Sequence, residues 1–163
     1  MKEKDLITLL NNNFNRDGWS YKIANQPRYS ASSGQRFNIK KPFDGFSVMP
    51  GKIYFWEAKF LNGYRAFPLS SIRDHQLEAL LKIDSLIDNM ETYPMIILGV
   101  YLLRKGFNLF FFDISYIKLL QEKGAKSILK TELLEIKAEG KFLPLRKRQF
   151  EVNKVPEKIV YWT

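Results

Sequence analysis

A near-continuous apolar run, Met95 to Leu103, restricts this chain more than any other feature. It is too short to cross a bilayer, which takes about 20 residues. It carries no charge and does not alternate, so it reads as a buried central strand. Lys105-Gly106 then turns the chain into a second such run, Phe107 to Asp113.

The elements around that pair can be read in order. Leu6, Leu9, Leu10 and Phe14 fall at helical spacing, giving a first helix from about Lys2 to Asn13 that ends at the Asn11-Asn12-Asn13 run and Asp17-Gly18. Trp19, Tyr21 and Ile23 alternate with polar residues and predict a strand. Gln26 to Lys41 is polar, with Pro27 and Gly34, and reads as a mobile, basic excursion. Phe43 to Met49 and Lys52 to Phe60 are expected strands joined at Pro50-Gly51. Asn62 to Pro68 is expected as loop. Ser71 to about Asp88 carries an apolar stripe of Ile72, Leu77, Leu80, Leu81 and Leu86, with Ser71 and Asp74 as a capping box. Ile114 to Glu122 reads as a helix and Lys126 to Lys137 as a further helical stretch, while the tail from Lys141 to Thr163 is basic and extended. This order predicts an α/β (α+β) fold, a mixed central β-sheet flanked by helices, in a single domain spanning 1–163.

Composition narrows the chemistry. The chain has 163 residues, of which 45% are hydrophobic and 15% aromatic, so it is not intrinsically disordered as a whole. It has no cysteine and one histidine, His75, which excludes disulfides, thiolate nucleophiles and any site needing two histidines. No signal peptide opens it, and the expected compartment is the cytoplasm or nucleoid, with no membrane partner. Lys and Arg number 26 against 17 acids, a net charge of +9. Residues 22–65 hold eight basic and two acidic residues, and residues 123–158 hold ten and five, while 74–93 hold five acids and one lysine. Two basic blocks around an acidic helix favour a polyanionic partner.

The informative window is Phe43-Asp44-Gly45 followed by Trp56-Glu57-Ala58-Lys59. A two-residue loop centred on Pro50-Gly51 sets Asp44 opposite Glu57, with side-chain origins about 5 Å apart. A bulge at this turn would shift that register by one residue. Lys59 shares the face of Glu57. Two facing carboxylates repel unless a cation lies between them. Hard oxygen ligands with open positions suit Mg²⁺, which can polarise a phosphodiester and acidify water. A lysine on the same face can orient that water or offset charge on phosphorus. The same residues also suit a salt-bridge cluster on a solvated sheet.

An acid followed by Glu-x-Lys after a short hairpin is the pattern of the PD-(D/E)XK nuclease superfamily. In detail, Asp44-Gly45, Gly51-Lys52-Ile53-Tyr54 and Glu57-Ala58-Lys59 are similar to the active-site hairpin of RecU-type Holliday junction resolvases. Phe67-Pro68-Leu69 with Asp74-His75-Gln76, and Lys126-Ser127-Ile128 with Glu132-Leu133, resemble two further motifs of that family. The resemblance implies a restriction-endonuclease-like core, a homodimer, Mg²⁺ (or Mn²⁺), and cutting of four-way DNA junctions. It implies Asp44 and Glu57 as metal ligands with Glu3 of the first helix, Lys59 as the catalytic lysine, and Gln76 beside them. Where the family has a long stalk, this chain has only the short interval 25–42. Lys41-Pro42-Phe43 also replaces the small hydroxyl residues that usually precede the Asp.

Arg36, Lys40 and Lys41, ahead of the acid strand, and Arg146-Lys147-Arg148 are candidate DNA contacts. His75 reads as a structural or DNA-contacting residue. Phe110-Phe111-Phe112 reads as core or dimer interface, and Trp56 and Phe60 as core. The expected function is a metal-dependent endonuclease resolving Holliday junctions in recombination and repair. The alternatives are another PD-(D/E)XK nuclease, of restriction type or for phage DNA processing, and a non-catalytic DNA-binding module.

Overall fold

Leu6, Leu10 and Phe14 lie on one face of the first helix and are fully buried, and they anchor α1 (Glu3–Asp17). The computed structural model describes residues 1–24, 26–29, 32–33, 36–86, 91–145 and 155. The helix continues past the asparagine run because Asn13 is itself buried and its amide donates to the Leu9 carbonyl at 2.7 Å. It stops where Gly18 donates to the Phe14 carbonyl.

Trp19–Lys22 (β1), Gln26–Tyr29 (β2), Arg36–Ile39 (β3), Gly45–Met49 (β4) and Lys52–Asn62 (β5) follow. Phe67–Pro68 (β6) and a 3₁₀ turn at Leu69–Ser71 lead into α2 (Asp74–Leu86). Thr92–Leu102 (β7), Gly106–Asp113 (β8), α3 (Ile114–Glu122), Ser127–Ile128 (β9), α4 (Lys130–Ala138) and Leu143–Leu145 (β10) complete the described chain.

The main sheet has six strands in the order β1-β4-β5-β7-β8-β10. Only β5 and β7 run parallel, because α2 carries the crossover between them. This is the mixed α/β sheet flanked by helices that the sequence predicts, and it is consistent with a restriction-endonuclease-like core. The apolar run at 95–103 sits inside it, paired on both sides, with Met95 through Leu98 and Val100 buried. Alternate residues feed two cores. Tyr54, Trp56, Ala58, Met95, Ile97 and Phe111 pack on α1. Ile96, Leu98, Phe110 and Phe112 pack with Leu80, Ile117 and Leu133 of α2, α3 and α4 on the other face. The Phe110–Phe112 stripe is therefore divided between the cores, and Trp56 is fully buried. Gly99 lets α1 press on β7: a Cβ there would stand 2.7 Å from Leu6 Cδ2.

Further local expectations differ. Asn62 to Pro68, expected as loop, holds the end of β5 and the short strand β6. The excursion over 26–41 contains an antiparallel pair, β2–β3, in register Gln26 with Ile39. Tyr29, Phe37 and Ile39 supply strand formers that the polar count conceals, and Pro27 is tolerated because a two-stranded pair is all edge. The helix expected over Lys126–Lys137 divides: Ser127–Ile128 pairs with Phe67–Pro68, burying Ile128, and α4 starts at Lys130. Finally, Ser71 does not cap α2. Its hydroxyl donates to the Pro68 carbonyl at 2.7 Å within the 3₁₀ turn. Among the described residues no helix is long and apolar enough to cross a membrane.

Candidate active site

The hairpin sets the register on which everything else depends. Met49 pairs with Lys52 across Pro50-Gly51, and Gly51 has φ of 75°. Proline followed by a positive-φ glycine is the order of a type II turn, and no bulge intrudes. Pairing continues to Gly45 opposite Trp56. There β4 ends, and Asp44 stands just beyond it. Its backbone is pinned on two sides, with N–H donated to the Trp56 carbonyl at 3.1 Å and C=O accepting from Ile23 at 2.8 Å. Gly45 is obligatory beside it, since a Cβ would strike the Trp56 ring and stand 2.8 Å from the Tyr21 carbonyl. Because β4 has ended, the Ala58 N–H has no ladder partner on that side, and it donates to Asp44 Oδ2 at 2.8 Å. Asp44 Oδ1 is paired with the Lys41 ammonium.

Glu57 and Lys59, two residues apart on β5, share a face. Lys59 Nζ lies 2.7 Å from Glu57 Oε1. Gln76 joins them from α2: its Nε2 donates to Glu57 Oε1 at 2.6 Å, and its Oε1 accepts from Lys59 Nζ at 3.3 Å. The helix start aims that amide. Arg73 N–H donates to Gln76 Oε1 at 3.0 Å, the reciprocal half of a capping box, so the box that operates is Arg73 with Gln76. Asp44 and Glu57 are 1% exposed, Gln76 6% and Lys59 7%.

A cavity of about 480 Å³ opens over these groups, lined by Glu3, Lys40, Lys41, Asp44, Glu57, Lys59, Ser71, Arg73, His75 and Gln76. Burial lifts the Glu57 carboxyl from its ordinary 4.5 to about 7; the Asp44 charge adds to this and Lys59 opposes it. Burial likewise raises Glu3, at the first turn of α1, where the Lys59 charge pulls down and the Asp44 charge pushes up.

Two observations bear on whether these residues suit a divalent cation. Glu57 Oε2 is buried with no hydrogen-bond partner, an oxygen that an ion or its water would satisfy. The donors are hard carboxylate oxygens, the kind a divalent ion of the Mg²⁺ class takes, and burial, with the Asp44 charge beside it, raises both Glu57 and Glu3. Asp44 and Glu57 fit such an ion. The wider set of Glu3, Asp44 and Glu57 lines one cavity, yet among the described residues no three acids or histidines form a ready metal cluster. Lys41 holds Oδ1 of Asp44.

Of the expected site residues, Glu3, Asp44, Glu57, Lys59, Gln76, Lys40 and Lys41 meet at this cavity. Arg36 lies on β3. Arg146, Lys147 and Arg148 lie outside the described residues. Sequence reasoning missed Arg73, whose position immediately before α2 was the available signal, and it missed the Lys41–Asp44 pair. Compared with protein-family models and with curated proteins, the chain matches none of them.

Proposed function

We propose that this chain is a divalent-metal-dependent, structure-selective DNA endonuclease of the RecU type, acting as a homodimer on four-way junctions in recombination and repair. One observation carries the reading: Asp44, Glu57 and Lys59 are almost wholly buried at the floor of a cavity rimmed by Lys40, Lys41 and Arg73. Burying two carboxylates side by side is unfavourable, and nothing in a purely DNA-binding role requires it. A cationic rim draws in a phosphodiester, while the acids beneath it suit the ion that such chemistry uses.

Each residue then has a task. Lys40, Lys41 and Arg73 hold the phosphate against the floor. Asp44 and Glu57 are the ligands for Mg²⁺ or Mn²⁺. When bound, that ion supplies Lewis-acid polarisation of the phosphodiester and acidifies water. Lys59 aims the attacking water or offsets charge on phosphorus as the P–O bond breaks. Gln76 positions both Glu57 and Lys59. A second nuclease reading, with linear duplex as substrate, draws on the short 25–42 interval, which leaves little chain with which to grip a branch point.

The test is cleavage of a mobile four-way junction against a matched linear duplex, with and without Mg²⁺. Junction cutting that needs Mg²⁺ and is lost in Asp44→Asn with binding retained is expected. Equal cutting of both substrates favours the second reading. Unaltered cutting in Asp44→Asn removes Asp44 from the mechanism, and binding without any cutting refutes the enzyme.

A further inference from the structure

Two rings stand in solvent on the same face of the sheet as the acids. Trp19 and Tyr21 are each 53% exposed and stack with centroids 6.2 Å apart and planes at 20°. Trp19 pairs with Val48 and Tyr21 with Phe46 across β1–β4, while Val48 pairs with Ile53 and Phe46 with Phe55 across β4–β5. Paired residues project from one face, and alternate residues of a strand share it. Ile53, Phe55, Glu57 and Lys59 therefore form one row down β5, and the two exposed rings flank that row two strands away.

Ring contacts run unbroken from the sheet edge to the site. Tyr21 meets Phe46 at 6.0 Å, Phe46 stacks on Phe55 at 6.0 Å, and Phe55 meets Phe43 edge-on at 5.7 Å, next to Asp44. With strands about 4.8 Å apart and about 3.4 Å per residue, Tyr21 lies roughly 12 Å from Glu57 and Trp19 roughly 17 Å. That distance is a few nucleotides of a strand, at about 3.4 Å each when stacked and more when extended.

We propose that this aromatic face is a stacking platform for unpaired nucleobases, so that the strand whose phosphate enters the cavity is held single-stranded beside it. The proposal rests on the acid–lysine cavity being the place where a phosphodiester is engaged. Charge selects the occupant. The rows Trp19–Val48–Ile53 and Tyr21–Phe46–Phe55 hold no carboxylate to repel a polyanion, and the adjoining cavity is rimmed by Lys40, Lys41 and Arg73. Every base offers a π face, so such a platform is tolerant of sequence.

The experiment uses metal-free protein in EDTA and fluorescence anisotropy with a labelled oligothymidylate of about 20 nucleotides, beside a duplex of equal length. The proteins are wild type, Trp19→Ala, Tyr21→Ala, the double variant and Trp19→Phe, with sedimentation run on each. Each alanine is expected to weaken oligothymidylate binding about 5- to 100-fold, and Trp19→Phe to retain most of it. The salt dependence stays unchanged, because no phosphate contact is removed. Unchanged affinity in the double variant overturns the proposal, as does conversion of a dimer to a monomer with oligothymidylate binding intact. Cleavage in Mg²⁺ is scored separately. A wild type that cuts nothing yet binds oligothymidylate through these rings refutes the nuclease reading alone, whereas full cutting and binding in the double variant refutes the platform alone.

Discussion

Replacing Glu57 by glutamine is expected to remove most of the decline in stability of the metal-free protein between pH 5 and pH 8. Burial, with the Asp44 charge behind it, raises the Glu57 carboxyl from 4.5 to about 7. In that window the folded chain keeps a proton that the unfolded chain has lost. Stability is therefore fully present below about 4.5 and falls as the pH rises through about 7. At about 1.4 kcal/mol per pH unit the difference amounts to about 3 kcal/mol. For a chain of this size that is roughly 10 °C in Tm. Glutamine keeps an oxygen to accept from Gln76 Nε2 and Lys59 Nζ but does not titrate. The assay is urea unfolding of both proteins in EDTA at pH 5 and pH 8, comparing the pH dependence of one with that of the other. The remaining groups are common to both proteins. Saturating Mg²⁺ at pH 8 should then raise the wild-type Tm and leave Glu57→Gln unmoved. Parallel loss of stability in the two proteins would refute the reasoning, because it would mean that Glu57 ionises in the native state as it does in the unfolded one.

Lys41→Met frees Oδ1 of Asp44 and removes a positive charge from the cavity. Metal-free protein titrated with Mn²⁺ and followed by electron paramagnetic resonance should show affinity raised about two- to fivefold, the scale of one partly exposed ion pair. Gln76→Leu takes away the amide that holds Glu57 and Lys59. Single-turnover cleavage of a junction should slow by about 10- to 100-fold with junction affinity unchanged. Gly45→Ala forces a methyl against the buried Trp56 ring and the Tyr21 carbonyl, neither of which can give way. Chemical denaturation should register a loss of about 1–3 kcal/mol. Leu6→Ala empties a fully buried position under Gly99 and should cost about 2–5 kcal/mol by the same measurement, with the metal site intact.

The strand pair at the centre was legible because burial on both faces demands an unbroken apolar run, and few other structures need one. The hairpin register was legible for a different reason: a two-residue loop leaves a strand little freedom to slip. What escaped was short, held in one case by a partner distant in the chain and in the other by a local turn that competed for the same group. Ser127–Ile128 is a strand only because Phe67–Pro68 lies alongside. Ser71 looked like a cap by spacing, but the 3₁₀ turn took its hydroxyl and Gln76 did the capping from inside the helix.

From the residues alone came the mixed sheet with its helices, the excess of positive charge, and an acid, a second acid and a lysine at a spacing that puts them on one patch. Folding decided how those groups meet. Asp44 takes the Ala58 amide because β4 ends one residue too soon to claim it, and Gln76 reaches Glu57 because α2 crosses between two parallel strands. Such contacts depend on where strands stop and helices cross, and spacing along a chain cannot encode the burial that raises the Glu57 carboxyl to about 7.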